Sequence, residues 1–173
     1  VDDGSSDDSY SIAKQFLNKH DKIDSLIFSQ ENTGPSIAIN NALKHVRYSF
    51  TKLLDGDDII APDSLSYMKN EMEKNNLDLL YGNWKWSNKP SDFKFKKNKP
   101  NSSVMINPLK KFIVSGWGGS SNLMVKSDVI IQIGGFDENV FVQDYSLPLR
   151  IAGNHFITSK HKEFTIGQSS KII

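Results

Sequence analysis

Apolar residues occur in short runs that alternate with helically spaced ones, the order expected of an α/β domain. Val1 leads directly into Asp2-Asp3-Gly4-Ser5, which reads as a strand end and turn, and Ile12, Ala13, Phe16 and Leu17 then share one helical face. A second unit repeats the order. Residues 25–28 form a short apolar strand, Glu31-Asn32-Thr33-Gly34-Pro35 a turn, and residues 37–46 a helix. Phe50, Leu53 and Leu54 predict a buried strand that ends abruptly in acids, and residues 77–81 are another strand-like run. Nearer the end, the helical pattern of residues 128–133 is closed by Gly134-Gly135, with Phe136 expected to plug the core beneath the turn. Asp144 then opens a helix running toward Arg150.

The acids after the third run carry the first chemical signal. Asp55, Asp57 and Asp58 crowd around Gly56, and like charges this close are relieved by protonation, by solvation on a loop or by a divalent cation. The position favours the cation, because open α/β sheets place ligands at the carboxyl ends of their strands. Hard oxygen ligands suit Mg²⁺ or Mn²⁺, ions that also bind diphosphates. Taken alone, the segment is equally well read as an acidic solvated turn with Asp63 capping the next helix.

Four motifs in series resemble the inverting glycosyltransferases of family 2, which have the GT-A fold. They are VDDGS at 1–5, ENTGPSIAINNAL at 31–43, LLDGDDIIAPDSL at 53–65 and GGFDENVFVQDYSLPLRIAG at 134–153, and the resemblance spans roughly residues 1–155. Each is weak alone; the order and spacing carry the signal. The resemblance implies an α/β, Rossmann-like three-layer sandwich with a mixed, mostly parallel sheet. It also implies a fragment, because family members begin earlier, with a further strand and helix. The expected organisation is one glycosyltransferase domain over 1–173, with a nucleotide-binding part at 1–83 and an acceptor-side part at 84–173.

The same resemblance implies a hexosyltransferase-type activity. Asp144 matches the catalytic base, which takes a proton from an acceptor hydroxyl as it attacks the anomeric carbon of a nucleotide-diphosphate sugar. Asp57 matches the direct Mn²⁺ or Mg²⁺ contact, Asp55 the metal and the ribose or sugar, and Asp58 a supporting position. Asp3, with Asp2 as the weaker candidate, matches nucleotide-base recognition, although both also suit a turn. Asn32, Gly34 and Pro35 match a segment lining the nucleotide pocket and suit an ordinary turn equally well. Trp117, Gly118, Gly119 and Gln143 are acceptor-side candidates, Trp for stacking and glycine for close approach.

Three departures from the family are visible. Gln143 stands where Glu is usual, Pro148 interrupts the helix after Asp144, and residues 164–170 lack the histidine that often joins the metal. The expected partners are a UDP- or GDP-sugar donor and a glycan or lipid-linked acceptor, in the synthesis of polysaccharide, lipopolysaccharide or another glycoconjugate. Two alternatives stand beside this reading: a degenerate nucleotide- or partner-binding module of the same fold, and a GT-A-like nucleotidyltransferase.

Composition narrows the field further. The chain has 173 residues, no cysteine and a net charge of +1, which excludes disulfides and thiolate chemistry and gives no nucleic-acid signature. No apolar run approaches the ~20 residues of a membrane span. The expected location is cytoplasmic, with peripheral association at the inner face of the membrane. The four histidines, His20, His45, His155 and His161, lack metal-ligand spacing. Lys85, Lys89, Lys94, Lys96, Lys97 and Lys99 alternate with Trp84, Trp86, Phe93 and Phe95. That basic aromatic stretch reads either as a solvated loop or as a surface for RNA, anionic head groups or an acidic acceptor.

Overall fold

The computed structural model describes residues 1–89, 95, 100–116, 119–140, 142–154 and 163–173. Phe93, Lys94, Lys96, Lys97, Lys99, Trp117, Gly118, His155 and His161 lie outside the described residues. The elements in chain order are α1 (Ser9–Lys19), α2 (Pro35–Leu43), β1 (Phe50–Lys52), α3 (Ser64–Lys74), β2 (Leu79–Asn83), β3 (Ser102–Val104), α4 (Pro108–Ser115), β4 (Leu123–Lys126), α5 (Ser127–Gln132), α6 (Gln143–Ala152) and β5 (Ile166–Ile172).

Alternation along the strands sorts the core into two faces, because successive strand side chains point to opposite sides of a sheet. Leu79 and Tyr81 of β2, with Leu123 and Val125 of β4, pack against Phe112 of α4, Val129 and Ile130 of α5, and Leu147 and Ile151 of α6. Leu80 and Met124 face the other way, onto Met68 and Met72 of α3. The result is the expected three-layer sandwich.

The strand order is β1-β4-β2-β5-β3. β1, β2 and β5 share one direction while β4 and β3 run against it, so the sheet is mixed as the resemblance implies but is not mostly parallel. Because β4 lies between β1 and β2, the pairings themselves are mainly antiparallel, and among the named strands only β2 and β5 pair in parallel. Their register shifts between Tyr81 and Asn83, where Tyr81 pairs Gln168 but Asn83 pairs Ile172. Such irregularities bend a strand and re-aim the residues beyond the bend.

Several local expectations change. Residues 25–28 form no strand; Asp2 and Ser29 make one isolated parallel bridge, held by Asp2 N–H to Phe28 O and Gln30 N–H to Asp2 O, both at 3.0 Å. Without a longer paired partner among the described residues, the apolar run remains irregular. β1 stops at Lys52 rather than reaching Leu54, which is 49% exposed, because β4 covers only its first three residues. α1 forms where expected, yet none of its residues is buried. α2 starts at Pro35, where a missing N–H costs nothing, and ends at Leu43, before Val46. Pro148 does not end α6, which continues to Ala152.

Phe136 is buried as expected, and the turn beneath it is fixed by side chains from two helices. Asn40 of α2 accepts from Phe136 N–H at 2.8 Å and donates to Phe136 O at 2.9 Å, while Arg150 of α6 donates to Gly135 O at 2.7 Å. Gly135 has φ 70°, and a Cβ there would lie 2.3 Å from Asn40 Oδ1, so both backbone and space require glycine.

On the opposite side of the sheet, Asp78 is buried with its carboxylate held by Lys126 Nζ at 2.8 Å and Thr165 N–H at 2.9 Å. This joins the start of β2 to the end of β4 and to the residue just before β5. Asp78→Asn removes the ion pair, and chemical denaturation is expected to show a loss of about 1–3 kcal/mol with no change in ligand binding.

Candidate functional site

The chemistry-bearing residues meet at one end of the sheet. β1 delivers the chain to the Asp55–Asp58 turn, which is closed by Asp58 N–H to Asp55 O at 3.2 Å. The segment before β4 crosses beside it: Asp55 N–H donates to Ser121 Oγ at 2.8 Å and Ser120 Oγ donates to Asp55 Oδ2 at 2.6 Å. Lys52 ties the two segments from behind, donating to Leu53 O at 2.7 Å and to Ser121 O. Burial lowers its pKa to about 8, and the carboxylates of Asp55 and Asp58 pull against that by favouring the ammonium. The turn is thus braced by neighbours 65 and 66 residues away in sequence.

Asp55, Asp57, Asp58, Ser120 and Asp144 line one cavity of about 550 Å³ together with Trp84, Trp86 and Gly119. Asp144 occupies the first turn of α6, a helix that Arg150 ties to the turn at Gly135. Burial raises its pKa and the Asp55 carboxylate raises it further, against the lowering effect of the Ser120 hydroxyl and N–H. Its Oδ1 is buried with no hydrogen-bond partner among the described residues. A carboxylate held this way has a raised proton affinity and an open lone pair, the properties of a general base. Beneath it lies Tyr81, whose hydroxyl is pushed up in pKa by burial and by Asp144.

The other sequence candidates sit elsewhere. Asp3 accepts through Oδ1 from Thr33 N–H at 3.0 Å and Gln30 Nε2 at 2.9 Å, and through Oδ2 from Gly34 N–H at 2.8 Å. These bonds hold its pKa low and fix the turn containing Asn32, Gly34 and Pro35. Asp2 accepts from Ser29 Oγ at 2.7 Å. None of Asp2, Asp3, Asn32, Gly34, Pro35 and Gln143 lines the cavity of the acidic cluster. Lys52, Tyr81, Ser121 and Asn122 join the site without having been singled out; the cue for Lys52 was a lone cation three residues before the acids in an otherwise apolar run.

The donor set fits a hard divalent cation. Asp57 is exposed to the cavity, and its carboxylate makes no hydrogen bond among the described residues. Among those residues no three acidic or imidazole side chains converge closely enough to hold an ion by themselves. Mg²⁺-like ions take one or two carboxylates and complete their shell with water and substrate phosphates, and Asp57 and Asp55 are the residues that would hold one. No helix of the described residues is long and apolar enough to cross a membrane.

Residues 1–156 match the family described as Glycosyl transferase family 2. An uncharacterised glycosyltransferase of Haemophilus influenzae is 38% identical over 84 residues, covering 49% of this chain and 33% of that protein. Among solved structures, a mannosyltransferase from Pyrobaculum calidifontis in complex with GDP-Man and Mn²⁺ superposes with a TM-score of 0.68 at 18% identity, over 96% of this chain and 43% of that one. The S. aureus TarS structure in complex with UDP-GlcNAc gives 0.67 at 16%, over 97% of this chain and 48% of that one. The structural likeness is one of fold, the GT-A fold. The chain spans between about a fifth and a third of the length of the first curated relatives it matches.

Proposed function

As a member of glycosyl transferase family 2, the chain is a glycosyltransferase domain, and we propose that it moves a sugar from a nucleoside-diphosphate sugar to an acceptor hydroxyl in one inverting displacement. Asp144 Oδ1 accepts the proton of the acceptor hydroxyl. The acceptor oxygen forms its bond to the anomeric carbon as the bond from that carbon to the diphosphate oxygen breaks, and the electron pair leaves with the nucleoside diphosphate. One displacement inverts the anomeric centre. Asp57 would hold Mn²⁺ or Mg²⁺, whose positive charge would offset the negative charge of the leaving group. Asp55, restrained by Ser120 and Ser121, faces the ribose or the sugar, and Asp58 supports the turn. Asp3 anchors the turn at 30–34 against which the nucleotide base rests.

The carrying observation is the buried, unpartnered Oδ1 of Asp144 in the same cavity as the unengaged carboxylate of Asp57. Relatives of the fold bind GDP-Man with Mn²⁺ and UDP-GlcNAc, which supports a nucleotide-sugar donor. Polysaccharide, lipopolysaccharide or another glycoconjugate is the product class.

The test is release of nucleoside diphosphate from UDP-, GDP-, CDP- and dTDP-sugars, with Mn²⁺ or with chelator. Metal-dependent release from one donor is expected. Tight nucleotide binding with no turnover would make the chain a binding module, and pyrophosphate release from a nucleoside triphosphate would make it a nucleotidyltransferase.

A further inference from the structure

Two large aromatic side chains at the mouth of the cavity are engaged by no step above. Trp84 and Trp86 come directly after β2, at the point where its register with β5 shifts, and they are 62% and 78% exposed. Exposing two indoles to water is unfavourable, by an amount that grows with their apolar area, and both line the cavity that holds Asp144. In the same cavity, Asn122 is only 7% exposed and carries a buried Oδ1 with no hydrogen-bond partner among the described residues.

We propose that Trp84 and Trp86 form the acceptor subsite and that the acceptor is a carbohydrate, laid with its C–H face on an indole and its hydroxyls toward Asn122 and Asp144. The inference rests on the proposed transfer reaction and specifies its acceptor class. A sugar ring presents an apolar face and a rim of hydroxyls, so it uses the indoles and the unmatched oxygens together. An acyl chain would leave the buried oxygens without the donor that a sugar hydroxyl supplies. RNA would bring phosphates beside Asp55, Asp57, Asp58 and Asp144, with Lys85 the one cation among the described lining residues.

Intrinsic fluorescence tests this directly, because two of the three tryptophans in the chain lie at the subsite. The chain is titrated with chitotetraose, cellotetraose and mannotetraose, with phosphatidylglycerol vesicles and with oligouridylate. Emission is expected to shift with an oligosaccharide alone. Trp84→Ala and Trp86→Ala each weaken that binding about tenfold, Trp86→Phe restores part of it, and the melting shift produced by nucleotide and Mn²⁺ remains in all three. Saccharide binding indifferent to both alanine variants, a response to vesicles or RNA alone, or no response to any saccharide overturns the inference. Loss of the nucleotide–Mn²⁺ shift in the unaltered chain would instead strike the transfer reading, so the two failures are told apart.

Discussion

Asp144→Asn is expected to lower transfer by about 10²- to 10⁴-fold while leaving the chain at least as heat-stable as before. Both effects have one origin. Burial and Asp55 raise the pKa of Asp144 above the ordinary 3.8, so the folded state binds its proton more tightly than the unfolded state does. The ionised side chain therefore opposes folding at every pH above its folded pKa, and that penalty fades as pH falls toward 3.8. Asparagine is neutral throughout and is nearly the same size. Melting curves should place the variant above the parent at neutral pH, by roughly 2–4 °C for each kcal/mol relieved, and bring the two together under acid. Activity has the opposite trend. Transfer needs the ionised form, so the rate of the parent falls on acidification through a pKa above the usual carboxylate range. A stability loss in Asp144→Asn at neutral pH would mean that the carboxylate holds the fold together and is not a strained base.

Asp57→Ala is expected to abolish the Mn²⁺-dependent stabilisation given by the correct nucleoside diphosphate. At a ligand concentration of 100 times Kd, binding to the folded state alone contributes about 2.7 kcal/mol, or roughly 5–11 °C for a chain of this size. The variant should lose that shift, while its own stability without ligand changes by no more than about 0.5 kcal/mol, because Asp57 is exposed and makes no hydrogen bond among the described residues. Asp55→Ala provides the contrast. It removes the acceptor of the 2.6 Å bond from Ser120 and is expected to destabilise the ligand-free chain as well. An intact nucleotide–Mn²⁺ shift in Asp57→Ala would remove Asp57 from the cation site.

The acidic cluster was legible in sequence because its signal is local: three carboxylates around one glycine are unusual wherever they occur. The Phe136 plug and the helix opening at Asp144 were legible for the same reason, each being marked by residues adjacent in the chain. Ser120 and Ser121 as braces of Asp55 were not, since that contact depends on how β1 and the approach to β4 lie side by side. Asp3 shows a different limit. Its position before Gly4 suggested either recognition or a turn, and only the placement of Thr33 and Gly34 N–H groups reveals that both its oxygens are engaged. The apolar run at 25–28 misled because β propensity describes a surface that fits between neighbours, and here the pairing is a single bridge. Helical spacing likewise located α1 correctly but carried no information about what would cover Ile12 and Phe16, which remain exposed.

The parallel pairing of β2 with β5 also has a consequence for the order of events during synthesis. Leu79 and Leu80 are made long before Ile166 and Gly167, their partners, yet the sheet's interior is finished only when β5 slots in between β2 and β3. A nascent chain therefore carries an open, apolar strand edge while residues 84–165 are made, and closing so long a loop is intrinsically slow. During that interval the exposed edge of β2 is the surface most in need of a chaperone.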